Sequence, residues 1–412
     1  MNSSLDTNQD LALKFGLEIR NRWRIMLKRR LVPTKSNSYF LFGPRGSGKT
    51  TFLQKMYSKK NALMIDLLDV QVFDQFLIDP SRFEKIIESP ENVKKVIVLD
   101  EVQKLPKLLD IVQRQIQKNK RKFILTGSSS RRLKQKGMNL LAGRAWVYHL
   151  YPFSTFELGS RFNLKKVLER GGLPDAILVE DDLSAREYLN AYVGTYLQKE
   201  IQEEQWVRQL VPFRKFLAVA AQMNGKIINK SKIAKEIGVD DVTVANYFEI
   251  LEDTMMGFIL PSYNRSVRKA QKVAPKFYFI DPGIVRALNK TLTIEMLPQT
   301  SIWGDAFEHW VILDIIKNAS YHRFDWSFSY LRTKEDVEID LIIDRPGENK
   351  LLIEIKSKIK VDVNDVKSLE SLGPDIDKKA QRWLLSNDPL EQMFGKTRAL
   401  YWQKGLEILF KK

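Results

Sequence analysis

Residues 38–58 read SYFLFGPRGSGKTTFLQKMYS. A short apolar run, a Gly-rich turn and a helix-like stretch follow one another without a gap. Within the turn, Gly43, Pro44, Arg45, Gly46, Ser47, Gly48, Lys49 and Thr50 form a complete G-x-x-x-x-G-K-T, with Thr51 directly behind it. Glycines at these positions let successive backbone N–H groups curl around phosphate oxygens, and the helix that follows adds its positive end. Lys49 is placed to reach the β- and γ-phosphates of a nucleotide, and the Thr50 hydroxyl to bind Mg²⁺.

Further apolar runs lie on either side of helical stretches: ALMIDL (62–67), KKVIVLDE (94–101), RKFILTGS (121–128) and AWVYHLYPF (145–153). Strands alternating with helices predict a parallel sheet covered on both faces. VIVLDE supplies the acidic strand end that such a loop requires. Asp100 is expected to hold the metal and Glu101 to orient and deprotonate water. Thr126 and Ser128, at the tip of the next strand, are hydroxyls for the γ-phosphate or the attacking water. Arg144, just before the following strand, is a candidate arginine finger.

The chain has 412 residues, and at roughly 150 residues per domain that length predicts about three folded units. It carries 67 Lys+Arg against 50 Asp+Glu, a net charge of +17. An excess of this size points to a polyanionic partner, nucleic acid first and an anionic membrane second. The absence of cysteine excludes thiol catalysis, disulfides and Cys-based zinc sites, and three scattered histidines argue against a His cage. No secretory signal is read at the amino terminus and no apolar run is long enough to span a bilayer, so a cytoplasmic location without a membrane partner is expected. Residues 11–30 have apolar positions at helical spacing and a basic second half, which predicts a basic amino-terminal helix over 1–30.

Two further patterns carry chemistry. SKIAKEIGVDDVTVANYFEIL (231–251) has the apolar interior and central turn of a helix-turn-helix. Its second helix opens on Asp240 and Asp241, which disfavours base reading. The connection after it carries Arg265, Arg268, Lys269, Lys272 and Lys276, and is expected to contact the DNA backbone between two strands. Near the carboxyl end, strand alternation puts Glu354 and Lys356 of LLIEIKSK on one face. Asp340 ends the polar part of the preceding strand, and Glu308 lies on the helix before both. Glu308, Asp340 and Glu354 are candidate ligands for one or two Mg²⁺ ions, with Mn²⁺ as the alternative, and Lys356 for positioning the attacking water.

GPRGSGKTT, VIVLDE, LTGSSSRRL and LLAGRxxxxxLYPFS together resemble the AAA+ ATPases. The likeness is closest to a bacterial and archaeal group in which the ATPase is fused to a poorly characterised PD-(D/E)xK nuclease-type domain. It continues through GGLP, YVGTYLQKEI, GDAFEHWV, EIDLII and LLIEIKSK, over about residues 30–360. The carboxyl-terminal set is similar to the E…D…ExK site of PD-(D/E)xK nucleases, with Ile339 where many members have proline.

This resemblance implies an α/β protein in five parts: the basic helix (1–30), an AAA+ core (31–152), a helical lid (153–210), a winged helix-turn-helix (211–280) and a mixed α/β restriction-endonuclease-like domain (281–412). It further implies ATP and Mg²⁺ as cofactors and a homo-oligomeric ring, such as a hexamer, in which Arg144 serves a neighbour. The expected activity is ATP hydrolysis coupled to DNA binding or remodelling, with metal-dependent DNA cleavage by the last domain. The alternative is a nucleotide-gated switch of the defence or toxin–antitoxin type, whose last domain is an inactive binding platform. No arginine of the lid is read unambiguously as a sensor-2 residue, and Arg186 is taken as the candidate.

Overall fold

A computed structural model describes residues 27–128, 141, 143–196, 210–264 and 273–411. The first layer is built from β1 (Ser38–Phe42), α1 (Lys49–Met56), β2 (Ala62–Asp66), α2 (Val70–Ile78), α3 (Ser81–Glu88), β3 (Val96–Asp100), α4 (Leu108–Asn119), β4 (Phe123–Gly127) and β5 (Ala145–His149). The five strands pair in parallel in the order β2-β3-β4-β1-β5. β1 and β4 are buried along their whole length, as a parallel strand covered on both faces must be. Phe40, Phe42, Ile97, Leu99 and Leu125 pack on one side and Tyr39, Leu41, Val98 and Ile124 on the other. All five runs expected as strands are strands.

Short helices follow: α5 (Thr155–Leu158), α6 (Leu164–Arg170), α7 (Pro174–Ile177) and α8 (Asp182–Ala191), the last continuing into a π-helical turn, Tyr192–Tyr196. A second group comprises α9 (Leu210–Gln222), α10 (Lys230–Ile237), α11 (Asp241–Asp253), the antiparallel pair β6 (Gly257–Leu260) and β7 (Lys276–Phe279), and α12 (Pro282–Leu288). Gly238 turns α10 into α11 with φ +78°, a left-handed conformation that costs glycine little. One apolar core, including Leu189, Phe213, Phe216, Ile233, Tyr247, Phe248, Phe277 and Ile284, joins these elements.

The long α13 (Ser301–His322) leads into β8 (Ser327–Arg332), β9 (Glu338–Asp344), β10 (Leu351–Lys356), α14 (Lys367–Ile376), β11 (Gln381–Ser386), β12 (Gln392–Phe394), β13 (Thr397–Tyr401) and α15 (Trp402–Phe410). The sheet order is β12-β13-β11-β10-β9-β8, with β10, β11 and β13 parallel and the remaining neighbours antiparallel. Sequence reading finds β8, β9 and β10 and misses β11 to β13. α13 is buried on several sides and has no single apolar face, which fits its position: Trp310, Val311, Ile312 and Ile315 join one core with Phe153, Val167 and Leu168 and with Leu341, Ile353 and Trp402.

The expected amino-terminal helix is corrected where it can be seen. Residues 27–30 are not helical, and residues 1–26 lie outside the described part. Arg29 ion-pairs with Glu157 at 3.2 Å and lies over Phe153, while Arg30 lies over Phe156 and contacts His322 at 2.9 Å. These two arginines fasten the chain to α5 and α13.

Candidate functional site

The turn after β1 has the geometry its glycines predict. Gly46 and Gly48 have φ +75° and +88°. A Cβ on Gly43 would stand 2.3 Å from the Leu150 carbonyl oxygen. Lys49 is buried, and its Nζ donates to the Gly43 and Pro44 carbonyls at 2.9 and 3.4 Å. Ser47 Oγ is buried and has no partner.

Because β1, β3 and β4 are parallel neighbours, their carboxyl ends deliver the remaining groups to the same edge. Thr50 Oγ1 donates to Asp100 Oδ2 at 2.8 Å. Thr126 is fully buried; its hydroxyl donates to Asp100 Oδ1 and accepts from the Glu101 N–H at 3.1 Å. It therefore positions the two carboxylates, where contact with phosphate or water was expected. Glu101 has left-handed backbone (φ 56°), an unusual state for a residue with a Cβ, and its carboxylate accepts from Gln103 and from Ser128 Oγ at 3.5 Å.

Two groups at this edge escape sequence reading. Gln103 Nε2 also donates to Ser128 Oγ at 3.1 Å and so holds Glu101 in place. Asp66, at the end of β2, is pushed up by burial, and Asp100 and Glu101 add to the rise. ALMID ends on an acid just as VIVLD does, and that parallel was the available signal. Gln103 carried none.

Arg144 stands elsewhere. β5 runs parallel to β1 with Ala145 opposite Ser38, so Arg144 lies at the opposite end of the sheet from the Gly-rich turn. Arg144 is level with residue 37, six residues before Gly43, so at about 3.3 Å per residue the backbone separation is roughly 20 Å. Its guanidinium lies against the Gln117 amide on α4. It does not reach the nucleotide loop of its own chain.

The helices beyond β5 press on the turn from outside. Tyr192 Oη donates to the Arg45 carbonyl at 3.0 Å, and Tyr188 Oη would be 2.6 Å from a Cβ on Gly46. The GGLP turn is tied down by Asp281, whose carboxylate accepts from Gly172 N at 2.6 Å and Gly283 N at 2.9 Å. Burial raises Asp281 to about 6, against the pull of Lys317 and these N–H groups. Arg186 is on a different side of α8 from this contact. It lines a cleft of about 490 Å³ with Arg286, and its Nε donates to the Asp182 carbonyl.

Glu308, Asp340, Glu354 and Lys356 do come together. Lys356 Nζ meets Glu354 Oε1 at 2.6 Å, and Ser368 of α14 donates to Glu354 Oε2 at 3.0 Å. Asp340 Oδ2 accepts from Ile355 N at 2.7 Å. Tyr278 Oη donates to Glu308 Oε1 at 2.8 Å. Burial, with the Asp340 carboxylate adding to it, pushes Glu308 up to about 7 and Glu354 up to about 8.

Lys276 is the main correction. Expected on the DNA-facing connection, it is only 4% exposed at the start of β7, with Nζ 3.8 Å from Glu308 and in contact with Glu338. Its register opposite Leu260, and its bridge to Ile227, turn it inward. Burial pulls its pKa down, but Glu308, Glu338 and Asp340 outweigh that and hold it above the ordinary lysine value. Arg265, Arg268, Lys269 and Lys272 lie outside the described residues. Among the described residues no group of three His, Asp or Glu side chains is arranged to hold a metal ion. The carboxyl-terminal set as it stands therefore does not fit a divalent cation: its carboxylates are engaged by Lys276, Lys356, Tyr278, Ser368 and a backbone N–H.

The Gly-rich turn does fit MgATP. It offers left-handed glycines, a buried lysine with only carbonyl partners, a buried hydroxyl with none, and a Thr–Asp pair at hydrogen-bond distance. No helix among the described residues is long and apolar enough to cross a membrane.

Comparison with known proteins agrees with this part of the chain. Residues 35–159 match the family described as AAA domain. Residues 161–295 and 303–402 match two families, each described as a domain of unknown function. An uncharacterized protein of Mycobacterium tuberculosis is 23% identical over 229 residues, 55% of this chain and 50% of that protein. The match thus spans half of that relative's length. An uncharacterized protein of Methanocaldococcus jannaschii is 23% identical over 369 residues, 82% of this chain and 79% of its own. A signal transduction ATPase with a tetratricopeptide repeat sensor from Pyrococcus horikoshii is 14% identical, with TM-score 0.27, over 73% of this chain and 50% of that one. Residues 35–159 thus combine the turn geometry of a phosphate-binding loop with a match to the AAA domain family.

Proposed function

We propose that the protein hydrolyses MgATP and couples that reaction to DNA. The carrying observation is the Thr50–Asp100 hydrogen bond of 2.8 Å beside Lys49 and Glu101 at one sheet edge. Backbone N–H groups of the turn would cradle the phosphates, and Lys49 would exchange its carbonyl partners for phosphate oxygens. Mg²⁺, held by Thr50 and Asp100, would supply positive charge to the terminal phosphate. Glu101, fixed by Gln103 and Ser128, would take the proton from the attacking water. Arg144, which does not reach the nucleotide loop of its own chain, would serve a neighbouring copy in a homo-oligomeric ring.

α9 to α11 followed by the β6/β7 pair suit a winged helix-turn-helix. Asp240 caps α11 through Thr243 N at 2.6 Å, so acids stand where a recognition helix would meet phosphates. Contact through the basic connection 265–272 is the better-supported mode. The sheet β8–β13 with Glu308, Asp340, Glu354 and Lys356 suits a nuclease-type domain. Engagement of its carboxylates by Lys276 favours a second reading, in which that domain is a binding platform within a nucleotide-gated switch.

One assay series separates the two: ATP turnover with duplex, single-stranded and branched DNA, with the DNA products run on a gel. Lys49→Ala should lose nucleotide binding, and Glu101→Gln should bind ATP with turnover reduced at least about a hundredfold. Normal hydrolysis by Glu101→Gln would remove it as the base. Turnover indifferent to every DNA form would favour the switch.

A further inference from the structure

We propose that Lys276 is a resident counter-ion that closes the carboxylate site of the carboxyl-terminal domain, so that a divalent cation enters only when the β6/β7 pair withdraws it. This inference rests on reading Glu308, Asp340, Glu354 and Lys356 as a nuclease-type set.

Three observations carry it. First, Lys276 belongs to neither the carboxyl-terminal sheet nor α13. It arrives on β7, and its ammonium group stands 3.8 Å from Glu308 and in contact with Glu338. Second, the cluster is crowded with charge: Glu308, Glu338, Asp340 and Glu354 face Lys276 and Lys356, with Arg332 3.6 Å from Glu338. A buried positive charge is worth most where several carboxylates share it, and a dication would compete for the same place. Third, the hairpin that delivers Lys276 is stitched to the sheet edge. Tyr263 N donates to the Tyr330 carbonyl at 2.6 Å, Tyr330 N to the Pro261 carbonyl at 3.0 Å, and Tyr330 Oη to the Ala274 carbonyl at 2.6 Å. The segment between these anchors is the basic connection 265–272. Movement of the β6/β7 pair against Tyr330 therefore moves the strand that carries the plug.

The arrangement also accounts for a second partner. Tyr278, two residues along β7 and thus on the same face as Lys276, donates to Glu308. The hairpin thereby occupies Glu308 twice, by ammonium and by phenol, and leaves Asp340 and Glu354 to Lys356.

The test is Mn²⁺ binding to the nucleotide-free full chain, by calorimetry and by the Mn²⁺-induced shift in melting temperature. Wild type and Lys276→Arg should bind weakly, Lys276→Met at least about tenfold more tightly. Adding Asp340→Asn to Lys276→Met should abolish the gain. Should Lys276→Met be unfolded without metal, recovery of its melting transition on adding Mn²⁺ supports the proposal equally. Equal, tight binding by wild type and Lys276→Met overturns the plug while leaving the nuclease-type reading in place. No Mn²⁺ binding by any variant overturns that reading, and the plug with it.

Discussion

His309 is fully inside the protein, where its Nε2–H donates to the Phe279 carbonyl at 2.6 Å. Burial holds it down at about 4, helped by the nearby Lys317 ammonium. The folded state thus favours the neutral ring, and the stability this gives is whole above the ordinary pKa near 6.5. It is lost as pH falls toward 4. His309→Gln should remove about 3 kcal/mol of the wild type's acid sensitivity between pH 7 and 4, measured by urea unfolding at each pH. Asp281 and Asp314, both raised by burial to about 6, titrate with the opposite sign, but they are common to both proteins and cancel in the difference. The same scale separates what sequence makes legible from what it does not. Lys49 and Thr50 were readable because chemistry fixes their spacing on one strand–turn–helix, and Asp100 and Glu101 because they close an apolar strand. Lys276 was not, since a run of basic residues says nothing about which way the last one turns; its pairing with β6 decides that.

At the scale of elements, the GGLP turn explains itself by what surrounds it. Gly171 has φ +74°, and a Cβ there would lie 1.7 Å from Asp281 Oδ1; one on Gly172 would lie 2.5 Å from the Phe153 carbonyl oxygen. Gly171→Ala should therefore cost more than about 2 kcal/mol, read as a lowered urea midpoint. Because Asp281 begins α12 and the turn leads into α7 over the nucleotide loop, ATP affinity should weaken with it. The strands of the first sheet were legible because each is a short apolar run ending in turn residues. β11 to β13 were not: QRWLLS and TRALY mix charge with apolar residues, because Arg382 is buried against Glu370 in an ion pair of 3.3 Å. A buried ion pair looks like surface in the sequence.

For the molecule as a whole, α13 removes any simple boundary between the ATPase half and the carboxyl-terminal sheet. Trp310 Nε1 donates to Thr155 Oγ1 at 3.0 Å, and Asp314 accepts from Thr155 N at 3.1 Å. Tyr321 Oη accepts from Tyr151 N at 3.1 Å, while Glu308, three turns earlier, serves the carboxylate cluster. A protein ending at residue 296 would expose the partners of these groups and the apolar faces of α5 and α6. It should aggregate, judged by size-exclusion chromatography, where the full chain does not. Composition and charge pointed to a class of partner, but this sharing of one helix between two halves was invisible, since α13 read only as a good helix. The stitch between Pro261–Tyr263 and Tyr330 has a mechanical corollary. Both main-chain bonds at Tyr330 must break together, so β6 and the edge of the carboxyl-terminal sheet would part in a single step, without graded loosening.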